Sequence, residues 1–380
     1  MMKLVKDAKK DDLEFYTLDN ILAKKALYNI IFGERSNGKS YAVLLYILTN
    51  YVKNGNQGAI LRRWKEDLRG KRGQQVFDCL EHNHYGINVV SQLTGGKYQK
   101  IHYYSGSWYL ATIDAATGKA IPAGEPFAYA FSLSDMEHDK STSYTRVKTV
   151  MFDEFLTRNY YLPDEFVLFM NVLSTIIRQR DDVTIFMLGN TVNQYSPYFT
   201  EMGLTHIQEM NKGSIEVYKY GESRLTVAVE YADSISKKGK PSDVYFAFNN
   251  PKLAMITGGA WELAMYPHLP CKYLPKNVMF TYFIIFDRQT LQCEIVQVDG
   301  SVFTYIHRKT TPIHDDGKDI IYELKDDHRP NHIKNMRRCS MPFSKKIGSF
   351  FAENRVFYQD NEVGELVRNY LTQCAHDKIV

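Results

Sequence analysis

The sequence predicts an α/β protein, a parallel sheet flanked by helices with a smaller mixed α+β domain after it. Three observations point there. Short continuous apolar runs recur at 27–32, 59–61, 147–152 and 183–188, the pattern of strands buried on both faces. Between them lie stretches with helical spacing, one after Ser40 and one after Pro163. Beyond about residue 200 this alternation gives way to strand-rich sequence.

Leu27 to Phe32 reads as a strand bounded by Gly33. Ser40 to Tyr51 arranges Ala42, Leu44, Leu45, Ile47 and Leu48 around a helix that Gly55 stops. Ala59-Ile60-Leu61 is the next strand. Tyr98 to Thr112, rich in aromatic and β-branched residues, predicts a hairpin turning at Ser105-Gly106-Ser107. Val147 to Phe152 is a strand that ends in acids. Pro163 opens a helix with Phe166, Phe169, Met170, Leu173, Ile176 and Ile177 at helical spacing. Val183 to Leu188 is a strand stopped by Gly189-Asn190. Further strands are expected at 278–286, 293–298 and 301–307, with turns at Asp287-Arg288 and Asp299-Gly300, and a helix from Asn361 to Cys374 closes the chain. The expected division is 1–204, a connector over 205–250, and 251–380.

A chain of 380 residues fits two or three domains, and 44% hydrophobic with 24% charged residues is ordinary for a water-soluble core-forming protein. No apolar run is long enough to cross a bilayer, and the N-terminus lacks the apolar core of a secretory signal. The five cysteines are scattered and odd in number, which predicts reduced thiols in a cytosol rather than disulfides or a zinc site. The net charge of +4 does not by itself imply nucleic acid. Its distribution says more: Arg329, Lys334, Arg337, Arg338, Lys345 and Lys346 lie in a stretch without acids, and shorter clusters sit at Arg69–Gly73 and Lys237–Lys240.

Gly33-Glu34-Arg35-Ser36-Asn37-Gly38-Lys39-Ser40 matches the phosphate loop G-x-x-x-x-G-K-[ST] at every fixed position. Glycines let backbone N–H groups curl around phosphates at the positive end of the following helix. Lys39 adds a point charge, and the Ser40 hydroxyl is a Mg²⁺ ligand. Average usage produces this pattern by accident roughly once in a hundred chains of this length, and here it lies between an expected strand and an expected helix. The strand Val150-Met151-Phe152 delivers Asp153 and Glu154 to the same sheet edge. Asp153 is expected to hold Mg²⁺ and Glu154 to polarise the attacking water as general base. Asn190, ending the next strand, is placed to sense the γ-phosphate. Arg178 and Arg180 could reach the phosphates of a neighbouring subunit. The fold class therefore narrows to a P-loop NTPase of the ASCE type using ATP and Mg²⁺, and the absence of an Asn-Lys-x-Asp motif argues against a GTPase.

Phe32 to Ala42, including Arg35 inside the loop and Ser40-Tyr41-Ala42 after it, resembles the phosphate loop of the DNA-encapsidation ATPases of small short-tailed phages. Three more blocks follow in that family's order: Leu61-Arg62-Arg63-Trp64-Lys65, then Thr149 to Phe155, then Ile177-Arg178-Gln179-Arg180 with Leu188-Gly189-Asn190. The resemblance covers about residues 20–200. It implies a homomeric ring, a pentamer, at the portal of a procapsid, driving double-stranded DNA inward by ATP hydrolysis, in the host cytoplasm and with a structural packaging RNA as a further partner. It carries over Lys39 and Ser40 as phosphate and Mg²⁺ ligands, Asp153 and Glu154 as metal ligand and base, Arg178 as the trans-acting arginine, Lys65 near a nucleotide lid and Lys140 facing the neighbour. It implies an RNase H-like C-terminal domain without a full metal-binding acidic set. Gly189 departs from the family's small polar residue, and the blocks around 90–130 do not match, so the DNA-gripping loops stay unassigned. The basic segment with Arg329, Lys334, Arg337 and Arg338 and the Arg69–Gly73 loop are the candidates for DNA, a structural RNA or the portal. The residues alone leave open a P-loop helicase or translocase, and a nucleotide-gated assembly protein.

Overall fold

The computed structural model describes residues 15–35, 37–83, 85–138, 143–157, 161–191, 196–233, 266–269, 271–309, 317–337 and 339–376. It divides into two compact units: residues 1–158 with 164–262, and residues 159–163 with 263–380.

In the first unit the chain runs α1 (Asp19–Leu22), β1 (Tyr28–Gly33), α2 (Lys39–Asn54), β2 (Gln57–Arg62), three short helices α3 (Gly70–Gln75), α4 (Asp78–Glu81) and α5 (Val89–Leu93), then β3 (Lys100–Tyr104), β4 (Ser107–Ile113) and β5 (Ala120–Ser132). It continues through β6 (Val147–Asp153), α6 (Glu165–Ile177), β7 (Thr184–Asn190), α7 (Pro197–Glu201), β8 (Ile215–Lys219) and β9 (Thr226–Ala232). The strands form a nine-stranded sheet ordered β3-β4-β5-β2-β6-β7-β1-β9-β8. Its centre, from β5 to β9, is parallel throughout, with antiparallel pairs only at the two sides. Ile30, Ile31 and Phe32 of β1 are fully buried, as a strand covered on both faces requires. Helix α2 buries Val43, Leu44, Ile47 and Leu48 against the sheet, and Gly55 closes it in the left-handed conformation, donating to Tyr51 O at 2.9 Å.

Within this unit, two strand groups differ from the sequence expectation. Strand β5 carries Pro122, Gly124 and Pro126, residues that ordinarily break strands. They lie in the part of β5 that does not pair with β2, while 128–132 forms the parallel ladder with β2. Strands β8 and β9 lie within the expected connector 205–250, yet β9 pairs directly with β1. Glu230, which interrupts the apolar run of β9, is buried there and accepts a hydrogen bond from the Tyr16 hydroxyl at 2.6 Å. The expected hairpin at 98–112 is present as β3 and β4, turning through Ser105 and Gly106 at positive φ.

The second unit contains β10 (Val278–Phe286), β11 (Gln289–Val298), β12 (Ser301–Arg308), β13 (Ile321–Glu323), β14 (His332–Ile333), α8 (Pro342–Ala352), β15 (Val356–Tyr358) and α9 (Asn361–His376). Its sheet order is β14-β13-β10-β11-β12-β15. Strands β10, β11 and β12 form an antiparallel meander through the two expected turns, where Asp287, Arg288, Asp299 and Gly300 all have positive φ. Strands β13 and β15 then add in parallel. Val363, Leu366, Val367, Tyr370 and Cys374 make the buried stripe of α9. Among the described residues, no helix is long and apolar enough to cross a membrane.

Candidate nucleotide site

The phosphate loop leaves β1 at Gly33 and enters α2 at Lys39. Gly38 sits at φ 92°, the left-handed region open to glycine, and as the N-cap it supplies no side chain to the amides of α2. Lys39 N donates to a nearby side chain, Asn37 Oδ1, at 3.3 Å. A 16-residue helix presents a positive end to an anion. The Lys39 ammonium folds onto its own loop, donating to Glu34 O at 2.6 Å and Asn37 Oδ1 at 3.0 Å. Burial pushes Lys39 down to about 8, against the charges of Asp153 and Glu34, which raise it. Asn37 is 2% exposed and its Nδ2 has no hydrogen-bond partner. A buried donor left open in a loop of this shape fits an incoming phosphate oxygen. Glu34 is half-buried and Arg35 exposed; Ser36 lies outside the described residues. Tyr41 is half-buried, and burial raises its hydroxyl.

Strand β6 brings its acids to the same place. Ser40 Oγ donates to Asp153 Oδ1 at 3.1 Å. Arg62, at the end of β2, bridges both acids: Nη2 meets Asp153 Oδ2 at 2.7 Å and Nη1 meets Glu154 Oε2 at 2.8 Å. The Asp153 side chain is 11% exposed and that of Glu154 is 64%, so the Asp153 contact is the stronger one and the Glu154 contact is readily released. Glu154 itself stands at φ 60°. Strand pairing sets Asn190 opposite Gly33, and Thr191 N donates to Gly33 O at 3.2 Å. Gly189, beside it, leaves no room for a side chain: a Cβ there would lie 2.9 Å from Leu156 Cγ and Cδ1.

Lys39, Ser40, Asp153, Glu154 and Asn190 thus converge with the phosphate loop at one edge of the sheet; the other candidates have contacts of their own. Lys65 pairs with Asp135. Arg178 is exposed at the C-terminal end of α6, at φ 53° and ψ −128°. Arg180 is spent inside the subunit: its guanidinium donates to the carbonyls of Tyr144, Thr145, Val147, Ile176 and Ile177 at 2.8–3.1 Å. That bonding argues against Arg180 as a residue reaching a neighbour. Lys140 lies outside the described residues. In the basic segment, Arg329 pairs with Asp327 at 2.7 Å and Lys334 with Asp326 at 3.0 Å. The acid-free stretch begins just after these aspartates, and the fold turns two of its cations back onto them. Arg337 remains exposed, and Arg338 is outside the described residues.

The Arg62 bridge and a buried Arg63–Glu165 pair (2.8 Å) are site features the residue pattern did not reveal. The adjacent arginines at a strand end were the available signal.

The sequence model of the podovirus DNA encapsidation proteins (Gp16) matches residues 10–108 and 120–246, more than half of the chain. The chain belongs to this family. Two of its relatives are the DNA packaging proteins of Bacillus phage PZA and Bacillus phage phi29. Each is 28% identical over 201 residues, a match spanning 52% of this chain and 52% of the relative. The match therefore covers about half the length of these relatives. The solved Phi-28 gp11 DNA packaging motor is 19% identical, with a TM-score of 0.53 over 96% of this chain and 99% of that one, a likeness of fold.

Proposed function

We propose that the chain is an ATP-hydrolysing motor subunit that translocates double-stranded viral DNA into a preformed procapsid. It would act as a homomeric ring, a pentamer, at the portal in the host cytoplasm, with a structural RNA as a further partner. The observation that carries this reading is the meeting of a phosphate loop holding an unsatisfied buried donor, Asn37 Nδ2, with the acids at the end of β6. Membership of the encapsidation family and relatives that are DNA packaging proteins support the motor half.

The α2 amides, Asn37 and Lys39 would bind the β- and γ-phosphates. Ser40 and Asp153, a hydroxyl and a carboxylate 3.1 Å apart, are the hard oxygen donors that suit Mg²⁺, which takes few protein ligands beside phosphates and water. Mg²⁺ held there would neutralise charge on the phosphate oxygens. Glu154 would accept the proton of the attacking water once it leaves Arg62. Asn190 would orient that water or sense the γ-phosphate. Arg178, at the exposed end of α6, would serve a neighbouring subunit's site, and the resemblance assigns Lys140 a second role facing that neighbour.

The second unit is proposed to be an RNase H-like domain without nuclease activity. Its support is the antiparallel meander β10-β11-β12 with β13 and β14 added in parallel beside β10.

The test is packaging itself. Purified protein, portal-bearing procapsids, DNA and ATP should yield DNA protected from added nuclease, and Lys39→Ala should abolish protection. Equal protection with the Lys39→Ala protein would overturn the reading.

A further inference from the structure

The residue after Arg62 makes the more deeply buried contacts. Arg63 is 7% exposed, and the side chain of its partner Glu165 is fully buried. The two meet as a fork: Arg63 Nε donates to Glu165 Oε2 at 2.8 Å and Nη2 to Oε1 at 2.9 Å. Tyr198 OH donates to the same Oε1 at 2.7 Å, from within a cage of Phe152, Phe155, Phe166 and Phe169. The remaining faces of the guanidinium point at the candidate base. Nη1 donates to Glu154 O at 3.3 Å and Nη2 to Phe155 O at 2.7 Å. From the sheet side, Phe155 N donates to Leu188 O at 3.1 Å. The peptide that follows Glu154 is therefore held on both sides, while Glu154 keeps a left-handed φ of 60° that a non-glycine residue adopts only under constraint.

A buried ion pair is a poor device for stability, because desolvation cancels most of its attraction. Its forked geometry fixes direction instead. We propose that Arg63, oriented by Glu165 and Tyr198, is a positioning residue for ATP hydrolysis: it fixes the strained backbone from which the Glu154 carboxylate reaches the attacking water. This rests on the reading of Glu154 as the base. Glu165 is also the first residue of α6, so the pair joins the backbone of Glu154 to the helix that ends at Arg178. Arg63 holds the backbone on either side of the candidate base, so its loss should act through the geometry of Glu154, where a misplacement of about 1 Å can cost about a hundredfold in rate.

The experiment uses the full chain and steady-state ATP hydrolysis with Arg63→Lys, which keeps the charge and loses the fork, and Tyr198→Phe, which removes one hydrogen bond. Arg63→Lys should lower kcat at least about tenfold and Tyr198→Phe about threefold, with KM and the affinity for a non-hydrolysable ATP analogue changed less than about twofold. In a Glu154→Gln background, Arg63→Lys should lower the residual single-turnover rate less than about twofold, because the group it positions is gone. Should Arg63→Lys fail to fold, Tyr198→Phe carries the same comparison. Unchanged kcat in a folded variant, or an equal loss with and without Glu154, overturns the proposal while the nucleotide site stands. A wild-type chain that neither binds nor hydrolyses ATP removes both.

Discussion

Ser40 and Asp153 lie 113 residues apart, yet the serine hydroxyl donates to the aspartate at 3.1 Å. The contact spans a strand, because β7 lies between β6 and β1 in the sheet. This pair is the proposed Mg²⁺ seat, and it yields a metal-specific prediction. Ser40→Ala should weaken ATP binding at least about tenfold when Mg²⁺ is present, equivalent to about 1.4 kcal/mol. With a chelator present, the change should be less than about threefold. Calorimetric titration under both conditions measures the difference.

Gly189 marks where packing sets the limit. Phe155 and Leu156 close over it so tightly that a Cβ would approach both within 3.0 Å. Gly189→Ser should therefore destabilise the protein by about 1–3 kcal/mol in chemical denaturation. Through the segment after Glu154 it should also slow hydrolysis more than it weakens ATP binding.

Arg178 and Arg180 should part company in mutagenesis. Arg180 bonds five carbonyls, so Arg180→Ala should cost about 2 kcal/mol of stability. Arg178 is exposed at φ 53°, a conformation that glycine adopts without strain, and Arg178→Gly should change stability less than Arg180→Ala while abolishing hydrolysis. Mixing Arg178→Gly with Lys39→Ala subunits should restore activity, because each supplies what the other lacks. Thermal melts and ATPase assays on the mixtures check both halves.

The difference between these arginines was not legible in the sequence. Arg-x-Arg before an apolar strand gives no sign of which guanidinium the helix end and β6 will absorb. The parallel sheet, the phosphate loop and Asp153-Glu154 were legible, because continuous apolar runs and glycine spacing are local signals. Strands β5, β8 and β9 were not, nor were β13, β14 and β15, which span only two or three residues each. Pro122, Gly124 and Pro126 hid a strand whose other half is buried, and Glu230 hid another by relying on Tyr16 from far along the chain. The pairing of Arg329 and Lys334 with Asp327 and Asp326 has a related cause: the acids precede the acid-free stretch, and the fold pairs them with its cations across a turn.

The second unit offers a pH signature. Glu294 is held down at about 2, chiefly by the His307 imidazole at 3.7 Å, with Tyr273 and Gln292 also donating to it. For His307, burial works against the charge, but Glu294 and the Arg308 carbonyl outweigh it and raise the imidazole above 6.5. The depressed glutamate contributes stability above its unfolded value of 4.5, which is lost as pH falls toward 2. The raised histidine contributes below 6.5, and that part is lost as pH rises through its folded value. The pair is thus strongest between about pH 4.5 and 6.5. Glu294→Gln should cost about 1 kcal/mol there, discounted for solvent screening, and less at pH 3 or pH 8. Melting temperatures of both proteins across this range measure it.

The central claim is that the loop from Gly33 to Ser40 and the acids Asp153 and Glu154 form one hydrolytic site serving DNA movement. The most direct measurement is ATP hydrolysis by the purified chain with and without double-stranded DNA, beside Glu154→Gln and with ATP binding recorded for both. The expected result is hydrolysis stimulated by DNA in the wild type and lost in Glu154→Gln, whose ATP affinity stays within about threefold. Hydrolysis by Glu154→Gln at the wild-type rate, or a wild-type rate indifferent to DNA, would contradict the account.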